Sequence, residues 1–274
     1  MLKQRLLTAA VLIPLVVLAI LKLPTIALMG LLAVIVMLTA WEWLQVVGFQ
    51  SVFAKVLATV VWLIIAAFQS SLFFPIEPGL IAGGMLWLAL TLLVVLYAHK
   101  PLPKLGQQLF ASQWFGLVMA WLVLAVFFYS AVWLHGRHGG EWLLLHVLVL
   151  VWLADTGGYF AGKRWGKRKL ATHISPNKTW EGVAGALMLV TLWSFAAWQF
   201  GLNDGISLLH WWLLAVMTAL FSIAGDLFES LFKRAHAIKD SGQLLPGHGG
   251  LWDRLDSLLA AVPVFAAMLV LLGL

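Results

Sequence analysis

Long apolar runs separated by short polar breaks make up the chain. Read against their Gly, Pro and charged interruptions, these runs place nine helices near residues 6–21, 25–47, 53–69, 80–97, 114–134, 142–160, 183–200, 208–229 and 257–273. A helix needs about 20 mainly apolar residues to cross a bilayer, so each run is a candidate span. The predicted fold class is all-α: a polytopic membrane helix bundle of about nine transmembrane helices. The opening MLKQRLLTAAVLIPLVVLAILKLP has the basic start and apolar centre of a signal peptide. No small-residue A-x-A site follows before the next run, however, and the segment reads as a retained first helix. No internal repeat stands out, and no hydrophilic stretch is long enough for a separate soluble domain. Residues 1–274 therefore read as a single integral membrane domain, with N-terminal helices over 1–110 and more polar helices and loops over 111–274.

Composition narrows the class further. The chain is 63% hydrophobic and 10% charged, against about 45–50% and about 25% in an ordinary soluble domain. That excludes a water-soluble globule, and disordered, collagen-like and coiled-coil readings need far more polar or more periodic sequences. With no cysteine, disulfides, thiolate nucleophiles and Cys-ligated metals are also excluded. Any metal must be held by carboxylate, His or backbone oxygen. Sixteen Trp fit the interfacial aromatic belts of a many-helix bundle.

The net charge of +6 is distributed unevenly. With the amino terminus cytoplasmic, the inside segments hold fifteen of the seventeen Lys and Arg, and only Lys22 and Arg137 fall outside. This is the positive-inside pattern, and it predicts the amino terminus inside and the carboxyl terminus outside. Two inside segments, 160–182 and 230–256, carry ten of the basic residues. In or beside them lie seven of the eleven acids: Asp155, Glu181, Asp226, Glu229, Asp240, Asp253 and Asp256.

A carboxylate inside a span costs about 2.5–3.5 kcal/mol on insertion scales, so Asp155 after VLVLVWLA and Asp226 after FSIAG call for partners or a purpose. Asp226, Glu229, Ser230 and Lys233 are spaced to share one helical face, and Asp253 and Asp256 do the same at the start of the last helix. Two adjacent helices can thus bring several carboxylates to one point at the membrane surface, an arrangement that suits a hard divalent cation such as Mg2+. The alternative is an interfacial charge network with Lys233, Arg234 and Arg254. Gly247, Gly249 and Gly250 in PGHGGLWDRLD favour a ligand, because glycine permits close backbone approach and amides at a helix start bind phosphate oxygens. In the other segment, the polar run Ser175, Pro176, Asn177, Lys178, Thr179 and Glu181 precedes a span, and Lys178 is a candidate phosphate contact. The Walker pattern GxxxxGK[ST] is absent. Glu42, late in the second run, reads either as a paired intramembrane carboxylate or as one at the cytoplasmic interface.

The segment SLFKRAHAIKDSGQLLPGHGGLWDRLD, residues 230–256, resembles the signature of the phosphatidate cytidylyltransferases, the CDP-diacylglycerol synthases. Ser230, Lys233, Arg234, Lys239, Asp240, Pro246, His248, Gly249, Gly250, Asp253, Arg254 and Asp256 stand where that pattern has them. Gly225, Asp226 and SPNKTWEG extend the likeness over roughly 150–260, whereas the first 110 residues match only in being hydrophobic. The resemblance implies a bacterial inner-membrane enzyme that joins CTP to phosphatidate, giving CDP-diacylglycerol and pyrophosphate at the cytoplasmic face. It further implies Mg2+, with a monovalent cation such as K+ as a second candidate, pairing as a homodimer, and no nucleic-acid partner. On this reading Asp226, Asp253, Lys233 and Lys178 are the catalytic set, and Asp226, Asp253, Asp256 and Asp155 the metal ligands. Ser175, Asn177, Glu181, Ser230, Arg234, Lys239, His248, Gly249, Gly250 and Arg254 bind substrate. Two rivals remain at this stage. One is an ion-coupled transporter using Asp155 and Asp226. The other is a different CTP-using lipid kinase or phosphotransferase; the CDP-alcohol phosphotransferase motif begins with a DG pair, and the sole DG here, Asp204-Gly205, falls in an outside loop.

Overall fold

The computed structural model describes residues 2–71, 76–203, 205–242 and 249–274. Its elements are α1 (Leu2–Lys22), α2 (Thr25–Val46), α3 (Val52–Ser71), α4 (Ile76–Tyr97), α5 (Lys104–Ala111), α6 (Gln113–His135) and α7 (Gly140–Trp165). A hairpin of β1 (Lys169–Ala171) and β2 (Ser175–Thr179) follows, then α8 (Trp180–Gln199), α9 (Leu208–Ala235) and α10 (Trp252–Leu271). Every predicted span coincides with a helix. Among the described residues seven helices, α2, α4 and α6–α10, are long and apolar enough to cross a membrane, and α1 and α3 contribute the shorter apolar stretches Ala10–Lys22 and Val52–Ile64. The fold is an all-α membrane bundle with one small β-hairpin.

Three helices run further into polar sequence than the apolar runs predict. α7 continues to Trp165, α9 to Ala235, and α10 begins at Trp252. Lys, Arg and Glu propagate a helix well, so loss of hydrophobicity marks the end of the span and not the end of the helix. Asp253, Asp256, Lys233 and Arg234 consequently sit on rigid helix, not on loops. The hairpin and α5 lie outside the nine-helix prediction. The hairpin's two strands pair antiparallel with Lys169 opposite Thr179 and Ala171 opposite Ser175. Thr179 then caps α8, its Oγ1 accepting from the Gly182 amide at 3.1 Å, as an N-cap hydroxyl does.

α10 occupies the middle of the bundle, packed on α9, α4, α6 and α7, with Ala260–Ala267 buried throughout. α7, α8 and α9 pack mutually beside it. Gly157 and Gly185 let α7 and α8 meet backbone to backbone, since a Cβ on Gly157 would run into the Gly185 carbonyl. The far end of the bundle is tied by His135 at the end of α6. Its Nε2 donates to the Ile20 carbonyl of α1 (2.9 Å), which leaves Nδ1 to accept from Thr25 Oγ1 (3.1 Å).

One expectation needs correction. Four tryptophans, Trp43, Trp87, Trp211 and Trp252, are fully buried inside the bundle instead of forming belts. Trp43 stacks flat on Trp252 with centroids 4.0 Å apart, and Phe232 meets Trp43 edge-on at 5.4 Å, so these rings form an aromatic joint between α2, α9 and α10. Glu42 is buried in the bundle as well, 1% exposed, with its carboxylate on the Ser241 hydroxyl and the Trp252 amide.

Candidate active site

The site gathers the C-terminal ends of α7 and α9 and the N-terminal ends of α8 and α10. Gly225 makes the α9–α10 contact close enough: a Cβ there would stand 2.5 Å from the Asp256 carbonyl and 2.9 Å from Ala260 Cβ. Asp226 and Glu229, one helical turn apart on α9, thereby face Asp256 on α10. Carboxylate oxygens of these three residues lie within 4.8 Å of one another.

Two lysines compensate part of this charge. Lys178, at the end of β2, reaches Asp226 Oδ2 at 2.6 Å, and Ser230 Oγ donates to Asp226 Oδ1 at 3.4 Å. Lys233 bridges Glu229 (2.7 Å) and Asp253 (2.8 Å). Asp253 also accepts from the amides of Ser241 (3.1 Å) and Gly250 (2.9 Å), which makes it the tie that holds the glycine-rich segment to the start of α10. Gly249, at φ +84°, occupies the left-handed region that only glycine adopts readily. Asp256 Oδ1 takes the Ser257 amide at 2.6 Å.

A cavity of about 580 Å³ opens beside the cluster, lined by Asp155, Lys163, Ser175, Asn177, Lys178 and Asp226. Asp155 stands across it within electrostatic reach of Asp226, Lys178 and Arg254. Five carboxylates, Asp155, Asp226, Glu229, Asp253 and Asp256, thus share the neighbourhood with Lys178, Lys233 and Arg254. One oxygen of Glu229, Oε1, is buried with no hydrogen-bond partner among the described residues. An excess of hard oxygen donors, converging from two helices and including an unsatisfied buried one, fits a divalent cation such as Mg2+. Asp226, Glu229 and Asp256 could hold such an ion.

The remaining sequence candidates separate in space. Ser175, Asn177 and Lys178 line the cavity. Glu181 does not; its carboxylate accepts from the amides of Lys167 (3.0 Å) and Arg168 (3.2 Å) and so closes the base of the hairpin. Arg234 turns to the other side of α9. There its Nε approaches the Ile174 carbonyl at 3.4 Å, and it lines a second cavity of about 320 Å³ with Tyr97, Lys100 and His173. Lys239 and Arg254 are exposed, and His248 lies outside the described residues. Two residues left out of the sequence-based site are present in it. Glu229 is signalled by its spacing from Asp226, whereas Lys163 is indistinguishable in sequence from its basic neighbours.

Fold and site together define a polytopic membrane protein with a carboxylate–lysine centre at one end of its bundle, beside a cavity. The family profile described as the cytidylyltransferase family matches residues 3–272. A phosphatidate cytidylyltransferase of Pseudomonas aeruginosa PAO1 is 41% identical over 274 residues, 98% of this chain and 97% of that protein. One of Haemophilus influenzae Rd is 36% identical over 292 residues, 97% and 98% of the two chains. One of Staphylococcus aureus COL is 42% identical over 150 residues, about half of each chain. The chain belongs to the cytidylyltransferase family.

Proposed function

We propose that the protein is a phosphatidate cytidylyltransferase that transfers CMP from CTP to phosphatidate, forming CDP-diacylglycerol and pyrophosphate for phospholipid synthesis. The observation that carries this reading is the Asp226–Glu229–Asp256 cluster with Lys178 and Lys233 attached, set beside a cavity in a chain that two phosphatidate cytidylyltransferases match over nearly their whole length.

A phosphate oxygen of phosphatidate attacks the α phosphorus of CTP. The new P–O bond forms as the bond from the α phosphorus to the α,β-bridging oxygen breaks, and that oxygen leaves with pyrophosphate. A phosphomonoester has its second pKa near 6 and is mostly dianionic at neutral pH, so no side chain has to remove a proton from the nucleophile. What the residues must do is hold two anions in line and offset their charge, the main contributions in phosphoryl-type transfer. Bound Mg2+ would supply charge neutralisation on the triphosphate. Lys178, at the cavity wall, pairs with Asp226 and is placed to exchange that carboxylate for a phosphate oxygen. Lys233 pairs with both Glu229 and Asp253 and holds them in position. Asp253 orders the Gly249–Gly250 backbone, while Ser175 and Asn177 offer hydrogen bonds across the cavity. Arg234, Lys239, Arg254 and His248 remain candidates for contacts with the nucleotide or the lipid phosphate.

Nine spans with the amino terminus in the cytoplasm complete the picture. His135 binds Ile20 at the end opposite the site, so α1 begins on the site's side, where the basic residues collect. The reaction centre then faces the cytosol, with CTP arriving from water and phosphatidate from the inner leaflet of a bacterial inner membrane. A homodimer is part of the same proposal, and K+ is proposed as a second cation.

Detergent-purified protein given CTP, phosphatidate and Mg2+ is expected to release pyrophosphate, and to stop when any one of the three is left out. Uptake of a solute into vesicles without CTP turnover would favour a transporter instead. Lys178→Ala should leave the protein folded and raise KM for CTP or phosphatidate about tenfold, the scale of one lost charge-assisted hydrogen bond. An unchanged KM for both would place Lys178 outside the phosphate path.

A further inference from the structure

Glu42 is a carboxylate near the C-terminal end of the apolar helix α2, in the part of the chain that carries none of the signature residues. Its surroundings are specific. Oε2 accepts from the Trp252 amide, the first residue of α10, at 2.9 Å, and from Ser241 Oγ at 3.3 Å. Gly242 and Gly250 close over it: a Cβ on Gly242 would lie 2.5 Å from Oε1, and one on Gly250 would lie 2.6 Å from Oε2. The neighbouring Trp43 ring stacks on Trp252. Oε1 is buried without a hydrogen-bond partner among the described residues. Desolvating a carboxylate costs several kcal/mol unless its bonds repay it, and apolar packing alone would be served better by Leu at this position.

The same stretch of chain is gripped from its other side. Asp253 accepts from the Ser241 and Gly250 amides, and Lys233 joins Asp253 to Glu229 of the acidic cluster. Two carboxylates therefore clamp residues 241–242 and 249–252 between α2 and α9. Glu42 also places negative charge against the positive end of α10, the helix that presents Asp253 and Asp256. Moving that helix start moves both.

We infer that Glu42 is a positioning residue for the reaction: it anchors the start of α10, and with it the glycine pair and Asp256, against the N-terminal half of the bundle. The inference rests on cytidylyl transfer at the acidic cluster, with Glu42 acting through Trp252 and Ser241 and touching no substrate.

Three variants and a control test it. In Glu42→Ala, amide hydrogen exchange over 249–256 is expected to accelerate while α6 and α8 exchange as in the native protein. The folded fraction should show kcat lowered about 10²-fold, the effect of a displacement near 1 Å at a reacting centre, and a higher Mg2+ concentration for half-activation. Glu42→Gln keeps an oxygen for the Trp252 amide and is expected to recover most of the loss. Thr39→Val, one turn earlier on α2 in the same buried setting, should change neither readout. If Glu42→Ala does not fold, Glu42→Asp, which withdraws the carboxylate by one methylene, is expected to move both readouts in the same direction. A merely structural Glu42 would lower yield and thermal stability and leave kcat and the Mg2+ dependence of the folded protein unchanged, and that result overturns the inference, as does native exchange over 249–256. The exchange measurement needs no substrate, so a failure of the cytidylyltransferase reading, seen as no turnover by native protein, stays distinguishable from a failure of the anchor.

Discussion

Asp226→Asn protein that inserts and folds normally is expected to convert CTP into lipid product about 10³-fold more slowly than the native enzyme, the upper range for removing one preorganised charged group from a reaction centre. Asp226 is the residue on which three contacts converge: the Lys178 ion pair at 2.6 Å, the Ser230 hydroxyl, and its neighbours Glu229 and Asp256. Asparagine keeps the shape and removes the charge. One oxygen can still accept, but the amide nitrogen cannot ligate a hard cation and turns its hydrogens toward a donor, the Lys178 ammonium or the Ser230 hydroxyl. The loss should fall on kcat at saturating CTP, and raising Mg2+ should restore only part of it. Folding should survive, because Asp226 is partly exposed at the cavity and its replacement leaves no isolated buried charge. Near-native turnover by this variant would move the reaction centre elsewhere in the molecule.

Lys233→Met is expected to act first on the fold. Glu229 and Asp253 share this one ammonium, with side chains of Lys233, Glu229 and Asp253 only 13%, 2% and 11% exposed. Removing one member of a buried ionic set strands the others and costs about 3–5 kcal/mol. For a chain of this size that is a fall of roughly 10 °C in the midpoint of thermal unfolding. Adding Glu229→Gln to Lys233→Met should recover much of the stability while activity stays low, since Glu229 belongs to the cluster. A single Lys233→Met variant that melts like the native protein would mean that Glu229 and Asp253 are neutralised by something other than Lys233.

How far the sequence reveals this arrangement depends on whether the relevant spacing is local. Asp226, Glu229 and Lys233 lie on one helix face by arithmetic, and Asp253 with Asp256 likewise, so the partners of the cluster can be read before any coordinates. Which of the last two turns toward Asp226 cannot, because that depends on the α9–α10 contact permitted by Gly225. In the structure Asp256 joins the cluster and Asp253 ties down the loop. Arg234, adjacent in sequence to Lys233, is carried round α9 by a hundred degrees of helical twist into a different cavity. The hairpin is concealed by its brevity: three residues and five, one of them Pro176, carry no alternating pattern. Its ties are also distant in sequence, including the His173 amide to the Ala98 carbonyl at 3.2 Å. Glu42 is the extreme case. Its contacts at Ser241 and Trp252 are about two hundred residues away, and nothing in the apolar run around it indicates them.

Cytidylyl transfer at the acidic cluster is tested most directly by following both ends of one nucleotide in native and Asp226→Asn protein. With CTP labelled at the α phosphorus in one sample and at the γ phosphorus in another, the native enzyme is expected to place the α label in the lipid fraction. The γ label should leave in pyrophosphate, in equal amounts and only when phosphatidate and Mg2+ are present. Asp226→Asn should do neither above background. An α label recovered in CDP with the γ label in lipid would identify a lipid kinase, and equal transfer by native and variant proteins would contradict the placement of the chemistry at Asp226, Glu229 and Asp256.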